Sequence, residues 1–200
     1  MRARAGFTLV ELLVGLTVAS LALLAGMSTI GFVSDRSTHA EEVARVAIGG
    51  ATQRAMLFEW LSNAQLTAPT GERFEGFEED MGGLPTDLLM MPTTARTPLG
   101  GSVTAVGLFI DIDPETPEQG LVAEMTGMVA GLEVHRMEIV PQAGRLRIRY
   151  LGTAGDEEWL ETWQSNRLPR GLELTLDPWE GDTLPTLLRY PIRVALRSGR

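Results

Sequence analysis

Glu11 is the residue whose placement asks most of its surroundings. It stands at the head of an uncharged run, Leu12 to Val33, and a carboxylate at membrane depth costs roughly 2.5 to 3.5 kcal/mol on insertion scales. A cut between Gly6 and Phe7 would free an α-amine, cationic near neutral pH. Within one helix that amine and Glu11 lie about one turn apart. Between two parallel, staggered helices the amine of one subunit reaches the carboxylate of the next, cancels both charges in a low dielectric, and sets register and direction of assembly. The plainer alternative is that Glu11 sits in a helix interface and snorkels.

Other residues offer less. The two histidines, His39 and His135, are too few and too dispersed for a His-based zinc site, and no H-E-x-x-H, G-x-S-x-G or phosphate-loop pattern occurs. A Ser/His/Asp site using His135 stays open beside the reading of a surface or strand histidine. Asp111, Asp113 and Glu115 share the i, i+2, i+4 spacing of a calcium loop, which makes them a weak calcium candidate. Thr116 stands where the EF-hand needs glycine and Val122 where it needs glutamate. A turn after a strand from Val103 to Ile112, ended by Pro114 and Pro117, explains the same residues without metal. Trp159 and Trp163, spaced i,i+4 among Asp156, Glu157, Glu158 and Glu161, are the candidate partner-facing patch, because interface energy concentrates in aromatics. Their alternative role is to cover a sheet edge. No catalytic residue, cofactor or metal is expected.

The elements that must position these residues begin with the apolar run, which exceeds the roughly 20 residues needed to cross a bilayer as a helix. Arg2 and Arg4 precede it while Asp35, Glu41 and Glu42 follow, so the positive-inside bias puts the amino terminus in the cytoplasm. A secretory signal cut at Ser20-Leu21-Ala22 would place its cleavage site inside the apolar run. All 11 prolines lie at or beyond Pro69, which marks an architectural boundary. The helix is expected to continue to Leu66, about 90 Å at roughly 1.5 Å per residue. Val43, Val46, Ala47, Gly50, Arg54, Leu57, Phe58 and Leu61 form its apolar stripe, interrupted by Arg54, with Gly49-Gly50 loosening it. Glu41 and Arg45 add an i,i+4 pair.

Residues 68–101 read as loop with short elements, their acids Glu72, Glu75, Glu78, Glu79 and Asp80 forming a solvated face. Beyond them the period becomes two. Leu146, Ile148 and Tyr150 alternate with three arginines; Leu172, Leu174 and Leu176 alternate with Glu173, Thr175 and Asp177; Tyr190, Ile192, Val194 and Leu196 repeat the scheme, with Pro191 implying an edge strand. Strands Leu132–Val140 and Arg145–Leu151 flank Pro141-Gln142-Ala143-Gly144 as a hairpin, with a bulge at His135-Arg136 and Glu133 and Glu138 facing the partner's arginines.

Two hundred residues leave room for one domain besides the stem. There is no cysteine, hence no disulfide framework. All 17 basic residues are arginine, against 26 acids, for a net charge of −9; without residues 1–6 the balance is 15 against 26, or −11. Such a surface disfavours nucleic acid.

The string Gly6-Phe7-Thr8-Leu9-Val10-Glu11-Leu12-Leu13 resembles the type III leader and mature start of type IV pilins and type II secretion pseudopilins. That resemblance implies cleavage after Gly6 by a prepilin peptidase, N-methylation of Phe7, and a role for Glu11 in aligning subunits. It divides the chain into a leader (1–6), a transmembrane helix (7–33), a periplasmic continuation of the stem (34–66) and a β-rich periplasmic domain (67–200). The fold class expected is α+β and pilin-like: a long amino-terminal transmembrane helix packed on an antiparallel sheet domain. The order Gly144 to Leu151, then Trp159 and Trp163, then Leu168-Pro169 leading Gly171 to Leu176, resembles the J-type minor pseudopilin (GspJ) family and shades into minor type IV pilins of the W kind (PilW-like). It implies a structural subunit at or near the tip of the pseudopilus, in the bacterial inner membrane, helping initiate assembly and the export of folded proteins. The implied partners are the I, K and H types of minor pseudopilin and the major pseudopilin through the helix, with no nucleic acid. Readings from other classes are a membrane-tethered periplasmic hydrolase, which needs a pocket around His135, and an adhesin or ligand-binding module, which needs a surface groove.

Overall fold

The helix α1, residues 48–62, buries Leu57, Trp60 and Leu61, a three-and-four spacing that continues to buried Ala64. In the computed structural model it ends four residues before Leu66, for a visible reason. The Asn63 amide and side chain both donate to Glu59 O, at 3.2 and 2.8 Å. The backbone beyond is then claimed by a strand end, Gln65 N donating to Pro92 O and Ala64 bridging Thr93. Phe58, expected on the buried stripe, is 49% exposed, and Trp60 takes its place in the core. Gly50 is buried in regular helix, and a Cβ there would come 2.6 Å from Pro185 Cβ. It is a point of close approach, where the sequence pattern predicts a loosened or bent helix.

The structure describes residues 13–14, 16–17, 20, 48–69, 71–81, 84–100, 103–127, 134–152 and 158–196. The leader, Gly6, Phe7, Glu11, His39, the Glu41–Arg45 pair, Val43, Val46, Ala47, Leu132, Glu133, Asp156 and Glu157 lie outside them. The chain divides into two compact units, Met1–Val46 and Ala47–Arg200. In the first, Leu13, Val14, Leu16, Thr17 and Ser20 are helical and exposed, with the Thr17 and Ser20 hydroxyls each donating 2.8 Å to a carbonyl one turn back. Among the described residues no helix is long and apolar enough to cross a membrane.

The second unit holds two antiparallel sheets. The first has five strands in chain order: β1 (Glu75–Met81), β2 (Leu84–Thr93), β3 (Thr104–Asp111), β4 (Gly120–Gly127) and β5 (Val134–Val140). The second comprises β6 (Ala143–Leu151), β7 (Trp159–Leu160), β8 (Gly171–Pro178) and β9 (Ile192–Ala195), ordered β7-β6-β8-β9, with a 3-10 turn, Thr186–Arg189, before β9. With α1 they enclose one core, in which Leu146, Ile148, Tyr150, Leu172, Leu174, Leu176, Ile192 and Val194 meet Leu57, Leu61, Leu89, Val106 and Leu121. This is an α+β domain.

Four expectations are corrected. Residues 75–93, read as part of a loop with short elements, are two paired strands: Leu88 to Pro92 is a continuous apolar run, the pattern of a strand covered at least in part on both faces, and Glu75, Glu78, Glu79 and Asp80 sit on β1, an edge. β5 and β6 are not a hairpin: the chain turns at Pro141-Gln142 and passes from one sheet to the other, so Arg147 and Arg149 face acids of β8 and Glu138 accepts from Gln119 N at 3.0 Å. The irregularity in β5 falls at Ile139, between the pairs Leu121↔Val140 and Val122↔Glu138, and not at His135-Arg136. Tyr190, expected inward, is 64% exposed before the strand begins. β9 is an edge strand, as Pro191 implied.

Candidate functional site

Across the outer face of the second sheet the register aligns Arg149 with Glu173 and Glu173 with Arg193. Glu173 is 4% exposed even though it points away from the core, because two arginines close over it: Arg149 pairs with Oε1, and Arg193 Nε lies 2.5 Å from Oε2. Burial acts to raise its pKa, but the bonds and charges of Arg149 and Arg193 outweigh that and hold it below the usual carboxylate range. Trp159 extends the row, with the Arg149 guanidinium 5.4 Å from its ring centroid.

The two tryptophans part company. Trp159 is 38% exposed, whereas Trp163 is buried, its ring 6.1 Å from that of Tyr150 and its Nε1 donating 2.9 Å to Arg167 O. Trp163 also bridges Gly76 through paired backbone bonds of 2.8 and 2.9 Å, tying the β7 side of the second sheet to β1 of the first. It is part of the core, whereas Trp159 stays at the surface. At Gly76 a side chain would collide with the Tyr150 hydroxyl, which is buried without a hydrogen-bond partner.

A groove of about 360 Å³ lies along β6, lined by Glu78, Asp87 and Glu161 and by Arg145, Arg147 and Arg149. Among the described residues β7 pairs with β6 at Tyr150 and Leu151. Farther along, side chains of β2 take the place of a strand: Thr86 Oγ1 accepts from Leu146 N at 3.3 Å, and Asp87 Oδ2 accepts from Ile148 N. The Asp87 carboxyl is pushed up to about 6, first by burial and then by Glu78 and Glu161, against the Ile148 amide and Arg145, which lower it. Burial, helped by the Asp87 charge, also raises the Tyr150 hydroxyl. Sequence reasoning passed over Asp87, yet a lone acid within Leu84 to Met91 was a signal of the same kind as Glu11.

Asp111, Asp113 and Glu115 form a turn. Asp111 Oδ1 accepts from Asp113 N at 2.8 Å, Asp113 Oδ1 from Glu115 N at 2.9 Å, and Asp111 Oδ2 from Thr116 at 3.1 Å and from Arg136. Burial works to raise Asp111, but the Asp113 amide, Thr116 and Arg136 hold it below the ordinary range. Among the described residues no group of three histidines, cysteines or acids is arranged to hold a metal ion. His135 is exposed on β5, and the groove is lined by other residues.

Residues 1–27 match the family described as the prokaryotic N-terminal methylation motif. No curated protein matches the chain. A motif of this kind implies processing by a prepilin peptidase and assembly with other pilin-like subunits, and it points to a structural protein. It is a type IV pilin-like prepilin signal, and it supports a place for this chain in the pilin and pseudopilin superfamily.

Proposed function

We propose that this chain is a minor pseudopilin of the J type: a structural subunit at or near the tip of a type II secretion pseudopilus, helping to start its assembly and the export of folded proteins. The observation that carries the reading is the methylation motif over residues 1–27, with Glu11 heading an uncharged run long enough to span a bilayer. Cleavage after Gly6 and N-methylation of Phe7 would leave a cationic amine for the Glu11 carboxylate of a neighbouring subunit. The stem would lie in the inner membrane with the domain periplasmic, beside the I, K and H minor types and the major pseudopilin. The arginine row from Trp159 to Arg193 supports a passive role, since its charged groups pair with one another in register.

The methylation motif serves a minor type IV pilin of the W kind equally well. Copurification of the tagged full chain from membranes separates the two, by recovery of secretion-system or of pilus subunits. An intact mass of the mature protein should begin at methylated Phe7, and a chain still beginning at Met1 would overturn the reading. Glu11→Ala should insert normally and lose most crosslinking to sibling subunits; undiminished crosslinking would remove the role given to Glu11.

A further inference from the structure

The open edge of β6 is closed by a titratable group. Ile148 N–H is held by the Asp87 carboxylate from the other sheet, and its neighbour Leu146 by Thr86, so the seam between the sheets rests here on two side chains. The same groove is lined by Glu78 of β1, Glu161 beyond β7, Arg145, Arg147 and Arg149 of β6, and Glu173 of β8; the nearby Tyr150 hydroxyl, which burial and the Asp87 charge push up, stays neutral. Arg149 and Glu173 neutralise each other, and Arg147 pairs with Asp177 at 3.0 Å, leaving Arg145 as the cation whose charge favours an ionised Asp87.

We infer that the Asp87–Ile148 junction is a proton-controlled seam: with Asp87 neutral the two sheets close on each other, and with Asp87 ionised the seam opens more readily. An ionised Asp87 is desolvated between carboxylates that repel it. A neutral one keeps a carbonyl oxygen for Ile148 N–H and gains an O–H that Glu78 or Glu161 can accept, turning repulsion into a bond. The perturbed carboxyl titrates near 6, and a group that binds its proton more tightly when the seam is closed must favour opening as the pH rises. The inference is independent of which pilin-like filament the chain joins.

Amide hydrogen exchange on the full chain in detergent micelles, from pH 4 to pH 7 and corrected for intrinsic rates, reads the seam directly. Protection at Leu146 and Ile148 should fall by about tenfold between pH 4 and 6 and level off above, a factor that allows for the half-exposed position of Asp87. Asp87→Asn should make protection independent of pH over that range. Glu78→Gln, an exposed change that leaves the core untouched, should move the midpoint to lower pH. Protection that stays flat or rises with pH in the unmodified chain would overturn the inference, and so would an unmoved midpoint in Glu78→Gln.

Discussion

Carboxylates of opposite temper sit a few strands apart. Asp111 and Glu173 are held by arginines and titrate below their usual range, so their contribution to stability is present above the ordinary carboxylate pKa and is lost as pH falls through the depressed value. Asp87, raised to about 6, acts the other way, and its cost appears as pH rises from about 4 to 6. Glu173→Gln should therefore lower the melting temperature at pH 7 by about 2 to 4 °C and flatten its decline below pH 4, as followed by circular dichroism. At the Gly76–Tyr150 contact, Tyr150→Phe removes a buried hydroxyl with no partner, and thermal melts should show stability unchanged or higher by about 1 kcal/mol. Gly76→Ala adds an atom where none fits and should cost about 1 to 3 kcal/mol.

At the scale of elements, the first half of α1 is joined to both sheets by two adjacent side chains. Gln53 Nε2 donates 2.6 Å to Ile139 O of β5, and Arg54 donates to Leu187 O, Tyr190 O and Pro191 O at 2.8, 2.8 and 2.9 Å. Arg54, which interrupts the apolar stripe in the sequence, is thus the group that fixes the 3-10 turn and the approach to β9. Arg54→Met should keep the apolar stem of the side chain, release three carbonyls, and speed proteolysis within residues 186–191; an unchanged cleavage pattern would argue against this clamp. The period-two strands were legible because alternation marks a half-buried surface wherever it occurs: Leu146, Ile148 and Tyr150 face the core as their spacing required. The partition into two sheets was not legible. Pro141-Gln142 satisfies local hairpin rules, and only the shared core decides that β5 and β6 diverge. Glu173 misled for a related reason, since alternation gives the direction of a side chain and says nothing of the arginines that cover it.

The whole molecule has one core for all the elements of its second unit, Ala47–Arg200. A chain starting at Ala47 should accordingly unfold in a single transition, with calorimetric and van't Hoff enthalpies in agreement; two separated transitions would mean that the sheets are independent. The methylation motif was legible because it is contiguous, whereas the groove was not, being assembled from β1, β2, β6 and the chain after β7. The adjacent clamps at Gln53 and Arg54 have a mechanical meaning. A pull applied at the amino end of α1 reaches β5 through one residue and the lead into β9 through the next, so the load divides between the sheets and their shared core is not sheared by a force entering from one side alone.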